Sequence, residues 1–265
     1  MKNTLIVAGF LSLSSIILPQ FSLAAEDSRF SLSLGAFVTD YDTETRLDSA
    51  QSRGFDTDFE DDLGLDSSDS VFRLDGYYKI GSRHRLDFSG FDLSRSALNQ
   101  IQQEIQWGDN LYNINTMVDS DFDLRIYKLA YTYSFLEGDN GFLGVTGGLY
   151  IADTDITLTD QTLVQNESGD VTAPLPVIGL RGEYGLTERW KLRASAEFFA
   201  LEIDDKFSGS LSDVFVGLDY QLFENTSLGF GVNSVAFDVA TDKNSFDGQL
   251  DWNYRGGLVY LKFDF

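Results

Sequence analysis

The chain holds one histidine and no cysteine among its 265 residues. Thiol catalysis, Cys-ligated metals, disulfides and a lipidated cysteine are therefore excluded, and histidine chemistry rests on His84 alone. His84 lies in Gly81-Ser82-Arg83-His84-Arg85, a turn composition with a base on either side, and reads as a surface histidine. The other candidate chemistry belongs to carboxylates. Asp56, Asp58, Glu60, Asp61 and Asp62 precede Gly64, and Asp-x-Asp runs recur at Asp119, Asp121, Asp123 and at Asp153, Asp155. Clustered oxygens suit hard divalent cations. The first run lacks the sixth-position Gly and the terminal Glu of a calcium loop, so the expectation is weak divalent binding and no resident cofactor.

A second set of charges is spaced differently. Arg73, Asp75 and Lys79, then Arg85 and Asp87, Lys128, Arg181 and Glu183, Lys191, Arg193 and Glu197, Asp213 and Asp219, and Lys262 and Asp264 each fall on the parity opposite to a run of apolar residues. In a strand that spacing puts the charges on one face and the apolar side chains on the other. Acids and bases nearly balance on this face, as an enclosed interior of paired charges requires, because an unpaired buried charge is costly. Bases beside each acid keep the acids ionised and do not split them into a proton donor and acceptor. No catalytic residue is expected.

The elements that position these charges are ten alternating strands. They begin at Phe30, Val71, Arg85, near Phe122, Leu143, Ile178, Trp190, Asp213, Leu228 and Arg255. Short reversals are expected at Gly81–His84, Asp139–Gly141, Thr187–Arg189 and Glu224–Asn225. Longer loops are expected after the first strand, around a hairpin tip at Trp107-Gly108-Asp109-Asn110, up to Pro174, around Asp204-Asp205-Lys206, and near Asp242 to Asp247. The pattern blurs at Gly90 and Phe91, where a bulge would reset the register. Tyr78, Tyr133, Phe135, Tyr184, Trp190, Tyr220 and Phe265 all fall at the short-turn ends, as an interfacial girdle would require.

The closing stretch RGGLVYLKFDF puts Gly257, Val259, Leu261, Phe263 and Phe265 on one face, with Tyr260, Lys262 and Asp264 on the other. Its alternation and terminal Phe resemble the C-terminal signature of bacterial outer-membrane β-barrels. That resemblance implies recognition by the outer-membrane assembly machinery. Met1 to Ala24, with Lys2, an apolar run and a small-residue end, reads as a cleaved signal peptide. The fold expected is a ten-stranded antiparallel transmembrane up-and-down β-barrel over residues 25–265, similar in general architecture to small monomeric barrels of the OmpA and OmpW type.

A formal charge of −23 leaves no basic patch for nucleic acid and sets an acidic rim on the loops. Localisation in the Gram-negative outer membrane implies lipid and lipopolysaccharide as neighbours of a monomer. The role expected is structural or surface-interacting and non-enzymatic, with a charge-paired lumen; the alternatives are a narrow cation-favouring channel and an outer-membrane hydrolase. Omptin proteases, lipid A deacylases and phospholipases, which such a barrel could resemble, place a histidine base at the membrane rim or outer face. His84 lies at the opposite end.

Overall fold

The structure, a computed structural model, describes residues 28–48, 53–161, 165–203, 207–243 and 246–265. The expected signal peptide and the Asp204-Asp205-Lys206 loop lie outside the described residues. Within them the regular structure is all strand: β1 (Phe30–Leu47), β2 (Thr57–Asp58), β3 (Ser68–Lys79), β4 (His84–Gln100), β5 (Ile105–Trp107), β6 (Asn110–Tyr112), β7 (Met117–Gly138), β8 (Gly141–Asp160), β9 (Gln165–Gly185), β10 (Trp190–Ile203), β11 (Phe207–Phe223), β12 (Thr226–Lys243) and β13 (Phe246–Asp264). One antiparallel sheet runs β13-β12-β11-β10-β9-β8-β7-β4-β3-β1, with β2 added on β1, and β13 also pairs with β1 from Ser31↔Asp264 to Leu47↔Gly248. The four short reversals fall where composition places them, since Gly, Asn, Asp and Ser supply the turn geometry.

Most of the long strands are longer than their sequence pattern suggests, and the reason is an inversion of polarity halfway along them. On β7 the outer face reads Phe135, Tyr133, Tyr131, Leu129 and Tyr127, then Arg125, Asp123, Asp121 and Asp119. Its inner face reads Ser134, Thr132, Ala130 and Lys128, then Ile126, Leu124, Phe122, Ser120 and Val118. β8 changes between Ile151 and Asp153 on the outside, and β4 changes between Phe88 and Asp92. The turn half of the sheet is thus apolar outside and polar inside, while the loop half is polar outside and apolar inside. The two halves are built for different solvents.

This inversion corrects three expectations. The blur at Gly90 and Phe91 is no bulge: β4 and β7 stay in register from His84↔Tyr133 to Gln100↔Met117. Real register shifts lie near the turns, between Ser134 and Leu136 and between Gln221 and Phe223. The loop expected up to Pro174 is mostly strand, with β9 beginning at Gln165, and the loop expected near Asp242 is a hairpin pairing Asp242 with Asp247.

The expected tip at Trp107–Asn110 is correct as a turn, with Gly108 at φ 57°, where a left-handed backbone favours glycine. It belongs to a separate ribbon, β5–β6, folded over the loop end of the sheet. Trp107, Ile105, Tyr112 and Ile101 are buried, as are Phe59, Leu63 and Leu65 beside β2. Phe59 meets Trp107 and Phe122 with ring centroids 6.0 and 5.6 Å apart. These side chains continue downward through Tyr41, Trp252, Leu93 and Leu124 to Phe37, Phe91 and Tyr254, all in one buried apolar cluster. Each such large side chain contributes roughly 1.5–3 kcal/mol by burial.

Candidate functional site

All thirteen residues read as a lumen charge network (Arg73, Asp75, Lys79, Arg85, Asp87, Lys128, Arg181, Glu183, Lys191, Arg193, Glu197, Asp213 and Asp219) lie on the inner face of the turn half, at positions that are buried or half-buried. Strand parity suffices to place them. It does not reveal the partners, because these are supplied by strands far apart in the sheet. Arg85 on β4 meets Glu183 on β9 at 2.7 Å and Asp87 at 2.8 Å. Arg181 on β9 meets Glu197 at 2.8 Å and Asp87 at 3.8 Å, and Thr132 donates to Asp87 at 2.7 Å. Lys128 on β7 pairs with Glu197 on β10 and lies 3.8 Å from Asp213 on β11. The contacts therefore span the interior and do not run along one wall.

Neutral groups complete the network. Tyr150 shares its one hydroxyl proton between Glu197, at 3.1 Å, and Asp213. Arg73 binds Asp75 at 3.1 Å and donates to Asn233, whose amide donates to Asp213 at 2.6 Å. Nearer the turns, Asp219 accepts from Tyr260 at 2.5 Å and faces Lys262 at 3.4 Å and Arg193 at 3.7 Å, while Lys262 also faces Asp264 at 3.6 Å. Gly229 makes this possible, since a Cβ there would lie 2.0 Å from the Tyr260 ring. Tyr150, Tyr260 and Asn233 were missed in the sequence as site residues because a tyrosine or asparagine on the inner parity carries no charge to mark it.

Between these layers lies a cavity of about 60 Å³ lined by Arg73, Asp75, Arg85, Lys128, Arg181 and Asp213, among others. It has room for a few waters and for no larger solute. Below it the interior widens toward the short turns into a mouth lined by Lys79, Lys191, Glu137, Glu183, Lys262 and Asp264.

The five acids considered for a cation do not converge. Asp58 accepts the backbone N–H groups of Glu60 and Asp61 at 2.9 and 2.7 Å, and Asp62 accepts that of Asp58 at 3.0 Å, so these side chains build a turn. Asp56 pairs with Arg46 at 3.1 Å. Glu60 turns inward to accept from the Thr43 N–H and hydroxyl and from Arg95. Among the described residues no three His, Asp or Glu side chains are grouped to hold a metal ion. His84 opens β4 on the outer face, where its Nδ1 shares a 2.5 Å hydrogen bond with the Tyr131 hydroxyl beside Tyr133.

The loop half carries rows of carboxylates directly opposed across strands: Asp58, Glu44, Asp251 and Asp238 in one row, and Asp123, Asp155 and Asp170 in another. Like charges so placed repel. Burial raises Glu44 above the usual carboxylate range, and Asp56, Asp251 and Asp58 raise it further; burial and Asp238 raise Asp251 in the same direction. A raised folded-state value means that the folded chain holds the proton more tightly than the unfolded chain does. Stability from this row is therefore gained as pH falls from neutrality through the folded-state values and lost again as pH rises. Asp251→Asn is expected to raise the thermal midpoint at pH 7, with the gain over the unmodified chain shrinking toward pH 4. A gain that stays constant with pH would assign the effect to something other than charge.

The girdle positions are aromatic and exposed at the turn ends: Tyr78, Tyr133, Phe135, Trp190 and Phe265 face outward, with Trp190 and Tyr220 at 4.8 Å and Phe30 and Phe265 at 5.9 Å. No family model matches the sequence, and no curated protein matches it. Among solved structures the chain is similar to the outer membrane protease OmpT from Escherichia coli, with TM-score 0.55 and 10% identity, covering 93% of this chain and 99% of that one. Weaker likenesses are to the transport unit of the autotransporter AIDA-I from Escherichia coli, at TM-score 0.45, 8% identity and 93% of each chain. Another is to the attachment invasion locus protein Ail of Yersinia pestis, at 0.39, 12% identity, 88% of this chain and 98% of that one. The likeness to OmpT is one of fold, the antiparallel β-barrel seen in outer-membrane proteins.

Proposed function

We propose that the chain is a ten-stranded, closed, integral outer-membrane β-barrel of the Gram-negative envelope, non-enzymatic, with a sealed lumen and a structural or surface-interacting role. In this reading the short turns are periplasmic, and the apolar outer half with its aromatic girdle is the lipid-facing belt. The observation that carries the sealed lumen is the succession of two unlike barriers along one bore. The lower is the ion-paired layer around Glu197 and Asp213, and the upper is the apolar layer running from Phe37 to Trp107. Ions passing the first would still meet a packed, largely apolar second.

The narrow cation-favouring channel is the alternative, and the small polar cavity and open turn-side mouth are what favour it. A hydrolase has least support, since the one histidine is a girdle residue at the turn end, far from the acidic rim. Single-channel recording of the purified protein in a planar bilayer decides between plug and pore. No steady conductance is expected. Steady open channels from the unmodified protein would overturn the sealed reading.

A further inference from the structure

The wall has a seam. β9 and β10 pair from Gly185↔Lys191 up to Ile178↔Phe198 and no further, although both strands continue. Above that point β9 pairs with β8 alone and β10 with β11 alone. Continuing the register would set Ala200 opposite Pro176 and Glu202 opposite Pro174. Gly185 donates its N–H toward β8, to Asn140, and Leu186 donates toward β10, to Trp190. Backbone groups alternate sides along a strand, so the even-numbered residues of β9 point at β10. Pro174 and Pro176 thus remove two donors from the edge that would have to zip the seam. These are two of the three prolines in the sequence.

The seam stands at the upper boundary of the belt: Pro174 lies beside Ile151, the last apolar outward residue of β8 before Asp153. Its rims are apolar on both faces. Outside, Ile178 is 75% and Phe198 51% exposed. Inside, Leu175 and Val177 are buried, yet Leu201, which shares the inward parity of the buried Leu211 and Gly209 positions it neighbours, is 41% exposed. On the β9 side the edge lacks the donors a peptide strand would need, while the backbone N–H groups of Ala200 and Glu202 on β10 still face the seam; what suits the seam to hydrocarbon is the apolar side chains of its rims.

We infer that this seam is a lateral docking slot for an acyl chain of the outer leaflet, entering between Pro176 and Ala200 to lie against Val177, Phe199 and Leu201. The inference rests on the membrane placement proposed above, and the test separates the two. The whole protein is reconstituted with phospholipid bearing a photoreactive diazirine on its acyl chain, irradiated, digested and mapped by mass spectrometry. Labelling is expected on outward belt residues such as Leu129 and Val216 and, in addition, on inward residues at the seam, while inward Val235 and Phe237 stay unlabelled. Restoring the donors with Pro174→Val and Pro176→Thr should let the seam zip, abolishing the inward label and sparing the outward one. A cysteine pair, Pro176→Cys with Ala200→Cys, oxidised across the seam, should do the same without relying on new pairing. Label on the belt but none inside the seam would overturn the slot, as would inward label that survives both closures. Absence of label on the belt itself would overturn the membrane placement.

Discussion

Replacing Glu197 by alanine is expected to destabilise the folded protein by about 3–5 kcal/mol, the cost of removing one member of a buried ionic network. Glu197 is fully buried, and it is the acid that both Lys128 and Arg181 share, with Tyr150 donating to it as well. Its loss leaves Lys128 with Asp213 at 3.8 Å and Arg181 with Asp87 at 3.8 Å, so two cations each keep only a long contact. Glu197→Gln, which keeps the shape and an acceptor but not the charge, should cost less. Arg193→Ala should also cost less, because Asp219 retains Lys262 and Tyr260. Urea unfolding in lipid vesicles, followed by tryptophan fluorescence, gives the order. If Arg193→Ala proved as costly as Glu197→Ala, the network would not be centred where the distances place it.

The inner face of the turn half was legible because parity alone puts Arg85 and Asp87 inside and Leu86 and Phe88 outside. Strand order and the short turns followed from the same alternation. Strand length was not legible. Along β7 the apolar alternation places the start of the strand near Phe122, although it begins at Met117 and carries Arg125, Asp123, Asp121 and Asp119 outward with its sides exchanged. Hydrophobic periodicity reports the contrast between the two faces, not which face is inside, so a change of outer solvent from lipid to water looks like the end of a strand. Acids that fall outside the expected strands, such as Asp119, Asp121, Asp153 and Asp155, are the water-facing half of the wall. Partners across the bore, including Arg85 with Glu183 and Tyr150 with Asp213, depend on how the sheet returns on itself, which no local pattern encodes.

The cap at the loop end hides a second buried pair, and it should behave as a latch. β3 and β4 pair only from Lys79↔Arg85 to Arg73↔Phe91, and β1 leaves β3 after Asp40. Into the gap between β1 and β4 comes the segment from Thr57 to Leu65, with β2 pairing on β1 and Phe59, Leu63 and Leu65 turned inward. Arg95 on β4 holds it: its guanidinium pairs with Glu60, donates to Thr43 at 2.7 Å and to the Asp66 carbonyl at 3.2 Å, and stacks 4.8 Å from the Tyr41 ring and 4.9 Å from that of Phe122. Arg95→Ala is expected to cost about 3–5 kcal/mol, since it strands Glu60 in an apolar enclosure and removes packing at the same time. Glu60→Gln added to Arg95→Met should recover most of that loss, because the charge disappears while the Thr43 N–H keeps an acceptor and the Thr43 hydroxyl, freed of Arg95, can accept from the new amide N–H. The first variant should admit proteinase K to the 57–65 segment, and the second should restore resistance. Neither Arg95→Ala nor Glu197→Ala alone should conduct, because each leaves the other barrier standing; combined, they should open the bore. Steady current from either single variant would show that one barrier, not two, seals it.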